Sequence, residues 1–219
     1  MLRRYRQKNP EHFSLIIKRL VYTGKCVLLL LVSLLILSTA WSQKRTLRYV
    51  IKRNGSEVGE LRYMEERIQG KTIYKLESLV KTRFIISFNA TGIEEAVFNN
   101  GVLVSSSILR KLNGNEKANR SIKASGNSYL SMGKGSEQKL DRFPIKQNML
   151  CLYTKEPDSI TEVYSDNFQR FVSIQKLNPR HYKITFPDGN SSEYFYSNGI
   201  CTRIKINHTL YKAEVLLTM

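Results

Sequence analysis

Residues 181–219 constrain the fold most, because they contain four short runs of alternating apolar and polar residues separated by three turns. The turns are predicted at the sequences PDGN, SNG and NHT. Side chains alternate between the two faces of a strand, and Asp-Gly and Asn-Gly pairs favour tight turns. This part of the chain therefore predicts consecutive antiparallel hairpins.

The same hairpin pattern occurs further upstream. A strand pair is predicted around Asn54-Gly55, where alternating residues on both sides give one apolar and one charged face. Further turns are predicted at Gln69-Gly70, Asn100-Gly101, Asn113-Gly114, Gly126-Asn127, Gly133 and Gly135. The hairpins over residues 113–139 are the poorest in apolar residues and are expected to project into solvent or to form a sheet edge.

Residues 74–88 form the longest periodic run in the chain. Every even position in it holds an apolar residue, a serine or a threonine, which predicts one extended segment with a single apolar face. A strand of that length would span about 50 Å, which is typical of strongly curved sheets and barrels, or of a strand that contains a bulge.

The stretch FPIKQNMLCLYTKEP interrupts the strand pattern and predicts a short helix over one end of the sheet, ending at Pro157. Nine to twelve short strands are expected in all. The predicted fold class is all-β, a single curved antiparallel sheet that forms a half-barrel or an open barrel, with one or two short helices. A hydrophobic N-terminal helix is predicted to precede it.

Residues 1–42 have the composition of a targeting segment. A basic leader precedes the apolar run CVLLLLVSLLILSTAWS, and the small residues Ala40 and Ser42 fit cleavage of a signal peptide after Ser42. The uncharged span of residues 26–43 also reaches the lower length limit for a membrane-spanning helix, so an uncleaved inner-membrane anchor is the alternative. Both interpretations place residues 43–219, as one all-β domain, in the periplasm or cell envelope.

The charge of the predicted domain bears on its partners. The leader holds seven of the 35 Lys and Arg residues and one of the 18 Asp and Glu residues, which leaves +11 on residues 43–219. That charge favours either an anionic partner surface, such as lipid headgroups, or a well-solvated exterior. Nucleic acid is not expected as a partner, because export is predicted and no binding motif occurs.

The two cysteines of the domain leave two alternatives open. Cys151 and Cys201 form a single disulfide, or they are unpaired structural cysteines. The alternation in ICTRIKI places Cys201 on the face of Arg203 and Lys205, opposite the isoleucines. That placement favours the unpaired alternative.

No residue cluster predicts catalysis. His181 and His208 each lie next to a predicted turn, and the sequence lacks the G-x-S-x-G elbow of serine hydrolases. Pairing of Cys201 with either histidine would be the one nucleophilic arrangement, but solvent-exposed histidines are the favoured interpretation. No metal-ligand spacing and no cofactor motif occur. A solvated face is the interpretation of the acidic residues Glu156, Asp158, Glu162 and Asp166.

The domain contains more aromatic residues than one buried face needs. Tyr194, Phe195 and Tyr196 are consecutive, so both faces of their strand carry a ring. Most rings are expected in the core, but an open curved sheet would leave a groove for an acyl chain or another elongated apolar ligand. The candidate groove residues are Phe84, Ile86, Phe88, Tyr194, Tyr196 and Tyr211.

Several sequence phrases resemble a known family. YVIKRNGSEVGELR, FNNGVLVSSS, LYTKEP and the closing ITFPDGNSSEYFYSNGICTRIKINHTLYKAEVLL are similar to a Bacteroidetes-type domain-of-unknown-function family of exported bacterial envelope proteins. In architecture alone the chain also resembles lipoprotein-carrier half-barrels, which implies acyl chains held against a curved sheet. The resulting expectation is a non-enzymatic exported protein that binds a lipid or another apolar ligand. The alternative is a membrane-anchored structural or protein-interaction module.

Overall fold

The computed structural model describes residues 42–83, 87–133 and 135–218, and residues 19, 21, 23 and 25 near the N-terminus. For residues 82, 83, 87 and 88 it describes the backbone only. Residues 1–41 and 42–219 are separate compact units. The predicted targeting segment therefore lies almost entirely outside the described residues. Among the residues that are described, no helix has the length and hydropathy needed to cross a bilayer.

Fourteen strands form one antiparallel sheet. In chain order they are β1 Gln43–Arg53, β2 Ser56–Ile68, β3 Lys71–Arg83, β4 Ser87–Asn99, β5 Val102–Leu112, β6 Asn115–Ser125, β7 Ser128–Gly133, β8 Ser136–Leu140, β9 Glu162–Ser165, β10 Arg170–Asn178, β11 His181–Thr185, β12 Ser191–Ser197, β13 Ile200–His208 and β14 Tyr211–Leu217. Strands adjacent in sequence pair with each other, except for β8 and β9, which are the two edges of the sheet. In addition, β1 pairs with β14. The predicted single antiparallel sheet, not closed into a barrel, is confirmed.

Most of the tight turns lie where the sequence predicts them. Both central residues have positive φ at Asn54-Gly55, Gln69-Gly70, Asn100-Gly101, Asn113-Gly114 and Asn198-Gly199. This is the type I′ geometry, whose twist matches that of the flanking strands and which asparagine and glycine adopt at low cost. The turn residues alone therefore fix much of the meander.

The prediction of one extended segment over residues 74–88 is wrong. β3 ends at Arg83, β4 begins at Ser87, and the two strands run antiparallel with Thr82 opposite Phe88. The chain reverses direction where the sequence has neither glycine nor proline, and the alternation of residue types continues through the reversal. Periodicity alone could not reveal this turn.

The predicted short helix is a 3₁₀ helix at Met149–Tyr153, and it ends four residues before Pro157. Residues 150–152 are buried, and the helix contacts β3, β9 and β13, which belong to both halves of the sheet. The Tyr153 ring stacks on Tyr63 with ring centroids 4.9 Å apart and meets Tyr49 edge-on at 5.5 Å. The helix therefore lies within the curve of the sheet instead of covering one end of it.

Residues 141–148 bridge the two halves of the sheet. The Ile145 carbonyl accepts the Leu103 N–H of β5 at 2.9 Å, and the Ile145 N–H donates to the Tyr129 hydroxyl of β7 at 3.0 Å. On the other side, the Gln147 carbonyl accepts the Tyr164 N–H of β9 at 3.3 Å. This connection gives the open sheet its barrel-like form.

Tyrosines fill much of the interior, and several of their hydroxyl groups have hydrogen-bond partners, although that of the buried Tyr164 has none among the described residues. Tyr49 donates to the Cys201 carbonyl at 2.8 Å, and Tyr196 donates to the Leu152 carbonyl at 2.9 Å. Such bonds remove the cost of burying a polar hydroxyl group. The buried tyrosines among the described residues are Tyr49, Tyr63, Tyr74, Tyr129, Tyr164, Tyr182, Tyr194 and Tyr196.

Candidate functional site

The interior also contains a cavity of about 450 Å³. β1–β5, the 3₁₀ helix, the end of β9 with the β9–β10 turn, the β11–β12 loop and β12–β14 contribute to its walls. Its volume lies within the range of pockets that hold small organic ligands. The aliphatic part of the wall consists of Ile51, Leu61, Leu76, Val80, Leu150, Ile204, Ile206 and Val215.

Small residues are paired across neighbouring strands beside the cavity. Ser78 of β3 is opposite Gly92 of β4, and Gly92 is opposite Arg110 of β5. A Cβ atom at Gly92 would lie 2.6 Å from Ser78 Oγ and 3.8 Å from Arg110 Cγ, so all three positions share the interior face. Because Gly92 has no side chain, the Ser78 hydroxyl group packs against the β4 backbone at a distance that a larger residue would not allow.

An ion pair lies in the cavity wall. Arg110 Nη2 donates to Glu94 Oε1 at 2.7 Å. The Glu94 side chain is only 13% exposed, whereas the Arg110 side chain is 47% exposed. Because Arg110 lines the cavity, part of its accessible surface faces that space. The site thus combines an aliphatic wall with an accessible guanidinium group.

A second polar group in the wall is Asp166, in the turn between β9 and β10. It accepts hydrogen bonds from Ser106 Oγ and from Asn148 Nδ2, the latter at 2.9 Å. Burial raises the pKa of this carboxyl group to about 7, and the Glu94 carboxylate adds to the increase while the two hydrogen bonds oppose it. The sequence interpretation of Asp166 as part of a solvated face is wrong, because its side chain is buried beneath β5.

At the cavity wall formed by β13 and β14, two rings stack. His208 and Tyr211 have ring centroids 4.6 Å apart and lie nearly parallel. His208 Nδ1 accepts the Leu210 N–H at 3.1 Å, so the neutral imidazole carries its proton on Nε2. Leu210 is 81% exposed and Tyr211 is 40% exposed. These residues connect the cavity wall with the protein surface.

The structure separates the six candidate groove residues. Tyr194 and Tyr211 line the cavity. Tyr196 is buried in the packed core, where its hydroxyl group bonds to the Leu152 carbonyl, and it does not line the cavity. Phe84 and Ile86 lie outside the described residues, and only the backbone of Phe88 is described.

Both cysteines of the domain are buried and unpaired. The disulfide alternative between Cys151 and Cys201 is therefore not formed in the structure. Burial raises the pKa of each thiol to about 12. At neutral pH neither sulfur is an effective nucleophile, because the reactive form of cysteine is the thiolate.

The predicted orientation of Cys201 is wrong. Phe195 is opposite Arg203, but Tyr196 is opposite Cys201, so Thr202 is an extra residue in β13. Such a β-bulge changes the alternation of the strand. It places Cys201 on the buried face together with Ile204.

The pairing of a histidine with Cys201, which the sequence analysis considered, does not occur, because both histidines have other partners. His181 Nε2 lies 2.9 Å from Glu193 Oε2, and its ring stacks on Phe195 at 4.1 Å. Within the described part of the chain, neither histidine hydrogen-bonds to a serine or cysteine side chain, and no group of three His, Cys, Asp or Glu residues is placed to hold a metal ion.

Sequence reasoning missed the residues that give the cavity its polar wall. Ser78 is one of the even positions of the periodic run at residues 74–88, and Gly92, Glu94 and Arg110 belong to no motif. The signal that could have found them is a glycine on the apolar face of a strand, which marks missing side-chain volume. Its use requires the register of β3, β4 and β5, which the sequence does not provide directly.

The curved sheet and its interior cavity define the class of this molecule as a barrel-like all-β domain. Residues 49–218 match the DUF6134 family, whose description is "domain of unknown function", and the chain belongs to that family. Its structure is similar to the crystal structure of a beta-barrel-like protein of domain of unknown function DUF1849 from Brucella abortus. The TM-score is 0.53 at 10% sequence identity, over 81% of this chain and 95% of that chain. No curated protein sequence matches the chain.

Proposed function

We propose that this domain is a non-enzymatic binding protein that holds an acyl chain or another elongated apolar ligand in its interior cavity. The observation that supports this function is the cavity of about 450 Å³ with its aliphatic wall. Protein interiors are normally packed to the density of organic crystals, with few voids larger than a water molecule. A purely structural domain has no need for space of this size.

Two features favour binding over catalysis. The Cys151 and Cys201 thiols have their pKa raised to about 12 by burial, which suppresses the thiolate. The ring of His208 lines the cavity, but its contacts are with the Leu210 amide and the Tyr211 ring. Neither contact is one that would activate a nucleophile.

The proposal includes a cellular location. The basic leader, the apolar run and the small residues before Gln43 are the grounds for export to the periplasm or cell envelope. The net charge of +11 on residues 43–219 would favour contact with anionic lipid surfaces there. Mass spectrometry of the protein recovered from its host tests export, since a polypeptide that begins near Gln43 is expected, and retention of Met1 in the cytoplasmic fraction would contradict it.

Ligand binding is tested by titration of the delipidated protein with the neutral fluorophore N-phenyl-1-naphthylamine, followed by displacement with dodecanol. Saturable binding with one fluorophore per chain is expected. In Gly92→Leu the added side chain enters the cavity from β4, so the affinity for both molecules should fall by about tenfold or more. The Ser78 hydroxyl group can rotate away from the new Cβ atom, and the fold should persist.

Ser107→Leu is the matched control. Ser107 is exposed on the outer face of β5, so the same side chain is added without occupying the cavity. Its affinities should equal those of the wild type. The absence of saturable binding, or equal affinities for the wild type and Gly92→Leu, would refute a ligand in this cavity.

A further inference from the structure

We propose that the ligand of the cavity is an anionic amphiphile whose acidic headgroup binds the Arg110 guanidinium group while its chain lies along the aliphatic wall. This inference rests on the proposed function, because it names the ligand class for the same cavity. It goes further in requiring charge recognition, which a cavity for a purely apolar ligand does not need.

Arg110 has unused capacity to bind an acid. A guanidinium group carries five N–H donors in a planar arrangement that matches the two oxygens of a carboxylate or phosphate. Within residues 42–83, 87–133 and 135–218, Glu94 is its hydrogen-bond partner, and the bond uses Nη2. Nearly half of the side chain is accessible, so the remaining donors can meet a ligand.

Glu94 fixes the position of this cation without occupying it fully. The carboxylate is mostly buried and holds Arg110 at 2.7 Å, so less conformational entropy is lost when a ligand binds. Ser78 Oγ and Arg110 Cγ both lie next to Gly92, and Ser78 and Arg110 both line the cavity, so a headgroup at Arg110 would lie in the cavity beside a hydroxyl group.

The two aspartates of the wall are less suited to bind a charged headgroup. Asp166 already accepts hydrogen bonds from Ser106 and Asn148, and its burial favours the neutral carboxyl form. Asp188 is exposed in the loop between β11 and β12. A cationic headgroup would therefore find its best acceptor, Glu94, already paired with Arg110. An anionic headgroup finds an accessible donor.

The aliphatic wall provides a continuous surface for the chain of the ligand. Ile51 of β1 is opposite Val215 of β14, Val215 is opposite Ile204 of β13, and Ile204 is opposite Tyr194 of β12. All four residues line the cavity. Apolar groups paired across adjacent strands form an uninterrupted strip, which suits an unbranched hydrocarbon chain.

Isothermal titration of the wild-type protein with four ligands that share one chain tests the proposal. The ligands are dodecanoate, dodecyl phosphate, dodecanol and dodecyltrimethylammonium, each below its micelle concentration. We expect at least one of the two anions to bind about tenfold or more tightly than dodecanol, because charge-assisted hydrogen bonds are the strong ones, and the cation to bind most weakly. The relative affinity of the carboxylate and the phosphate distinguishes a fatty acid from a phospholipid-type headgroup.

The double variant Glu94→Gln with Arg110→Gln removes both charges and leaves no unpaired buried carboxylate. It should bind dodecanol as the wild type does and lose the preference for anions. Arg110→Lys should keep part of that preference. Arg62→Gln, an exposed arginine on the outer face of β2, is the control and should keep all of it.

Two outcomes would overturn the proposal. One is equal affinity of the wild type for dodecanol and both anions, and the other is an unchanged anion preference in the double variant. In either case binding of dodecanol would leave the proposed apolar binding function standing. If none of the four ligands binds, the proposed function fails and this inference fails with it.

Discussion

Ser106 donates its hydroxyl hydrogen to the Asp166 carboxyl group and so joins β5 to the turn between β9 and β10, across the interior of the open sheet. Asn148 donates to the other carboxyl oxygen at 2.9 Å and ties the bridging residues 141–148 to the same group. A single acidic side chain thus connects three segments that the strand pairing leaves separate. The ionisation of Asp166 is therefore coupled to the stability of the fold.

The free energy of unfolding should fall as the pH rises through the interval between the unfolded and folded pKa values of Asp166. Its pKa is raised from 3.8 to about 7 by burial, so the folded state retains a proton that the unfolded state releases. The stabilising contribution is complete below about pH 4 and is lost as the pH rises past 7, with a slope of at most about 1.4 kcal/mol per pH unit. Urea unfolding between pH 4 and pH 8 measures this slope.

In Asp166→Asn this component of the pH dependence should disappear, because the amide does not ionise. Asp188→Asn, at an exposed loop position, is the control and should keep the wild-type slope. A wild-type slope in Asp166→Asn would show that other groups cause the dependence.

Tyr129→Phe should destabilise the domain by about 2 to 4 kcal/mol, because it leaves two buried backbone groups without their partner. The Tyr129 hydroxyl group donates to the Leu103 carbonyl and accepts the Ile145 N–H, both at 3.0 Å. Chemical denaturation measures the loss. Tyr211→Phe, at a ring that is 40% exposed, should change stability by less than about 0.5 kcal/mol; an equal effect of the two changes would contradict the bridging role of Tyr129.

Cys151 and Cys201 should resist alkylation in the native protein and react rapidly after unfolding. Burial shields both thiols and raises their pKa to about 12. Treatment with N-ethylmaleimide without reductant, followed by peptide mass spectrometry, should give label at both positions in guanidinium chloride and little in native buffer. Absence of label in denaturant until a reductant is added would instead indicate the disulfide.

Tyr196 and Tyr211, which the sequence analysis placed in one groove, should differ in their effects on ligand affinity and on stability. Tyr211→Ala removes a cavity-lining ring that is partly exposed, so ligand affinity should fall several-fold with little loss of stability. Tyr196→Phe removes a hydrogen bond to the Leu152 carbonyl in the packed core, so stability should fall by about 1 kcal/mol without a change in affinity. Fluorophore titration and urea unfolding of both variants decide this, and loss of affinity in Tyr196→Phe would place that ring in the binding site after all.

The strand meander was predictable because its turns have strong local signals. Asn54-Gly55, Asn113-Gly114 and Asn198-Gly199 adopt backbone angles that other residue pairs adopt at a cost. The reversal between Arg83 and Ser87 has no such residue, and the bulge at Thr202 leaves no mark on composition. Both errors arise where backbone geometry changes without a change in residue type.

The candidate site was less predictable, because it depends on register. Tyr194 and Tyr211 were identified from aromatic content and do line the cavity. The polar part of its wall comes from Ser78 and Arg110, which lie in one cross-strand row on either side of Gly92. These residues are unremarkable until the strands are aligned, just as Asp166 looks like a surface carboxylate until its turn is placed beneath β5.

Among the described strands, the pairing of β1 with β14 is the one that joins strands distant in sequence. Tyr49 is opposite Leu217, and the Thr218 N–H donates to the Arg48 carbonyl at 2.9 Å. The two ends of the domain thus meet near the centre of the sheet. A short linker could therefore join these two ends, and new termini could be opened at the exposed turn Asn113-Gly114. The resulting circular permutant would keep every strand pairing, and only the covalent connection between β5 and β6 would be lost. Deletion of β14, in contrast, would divide the sheet into two halves.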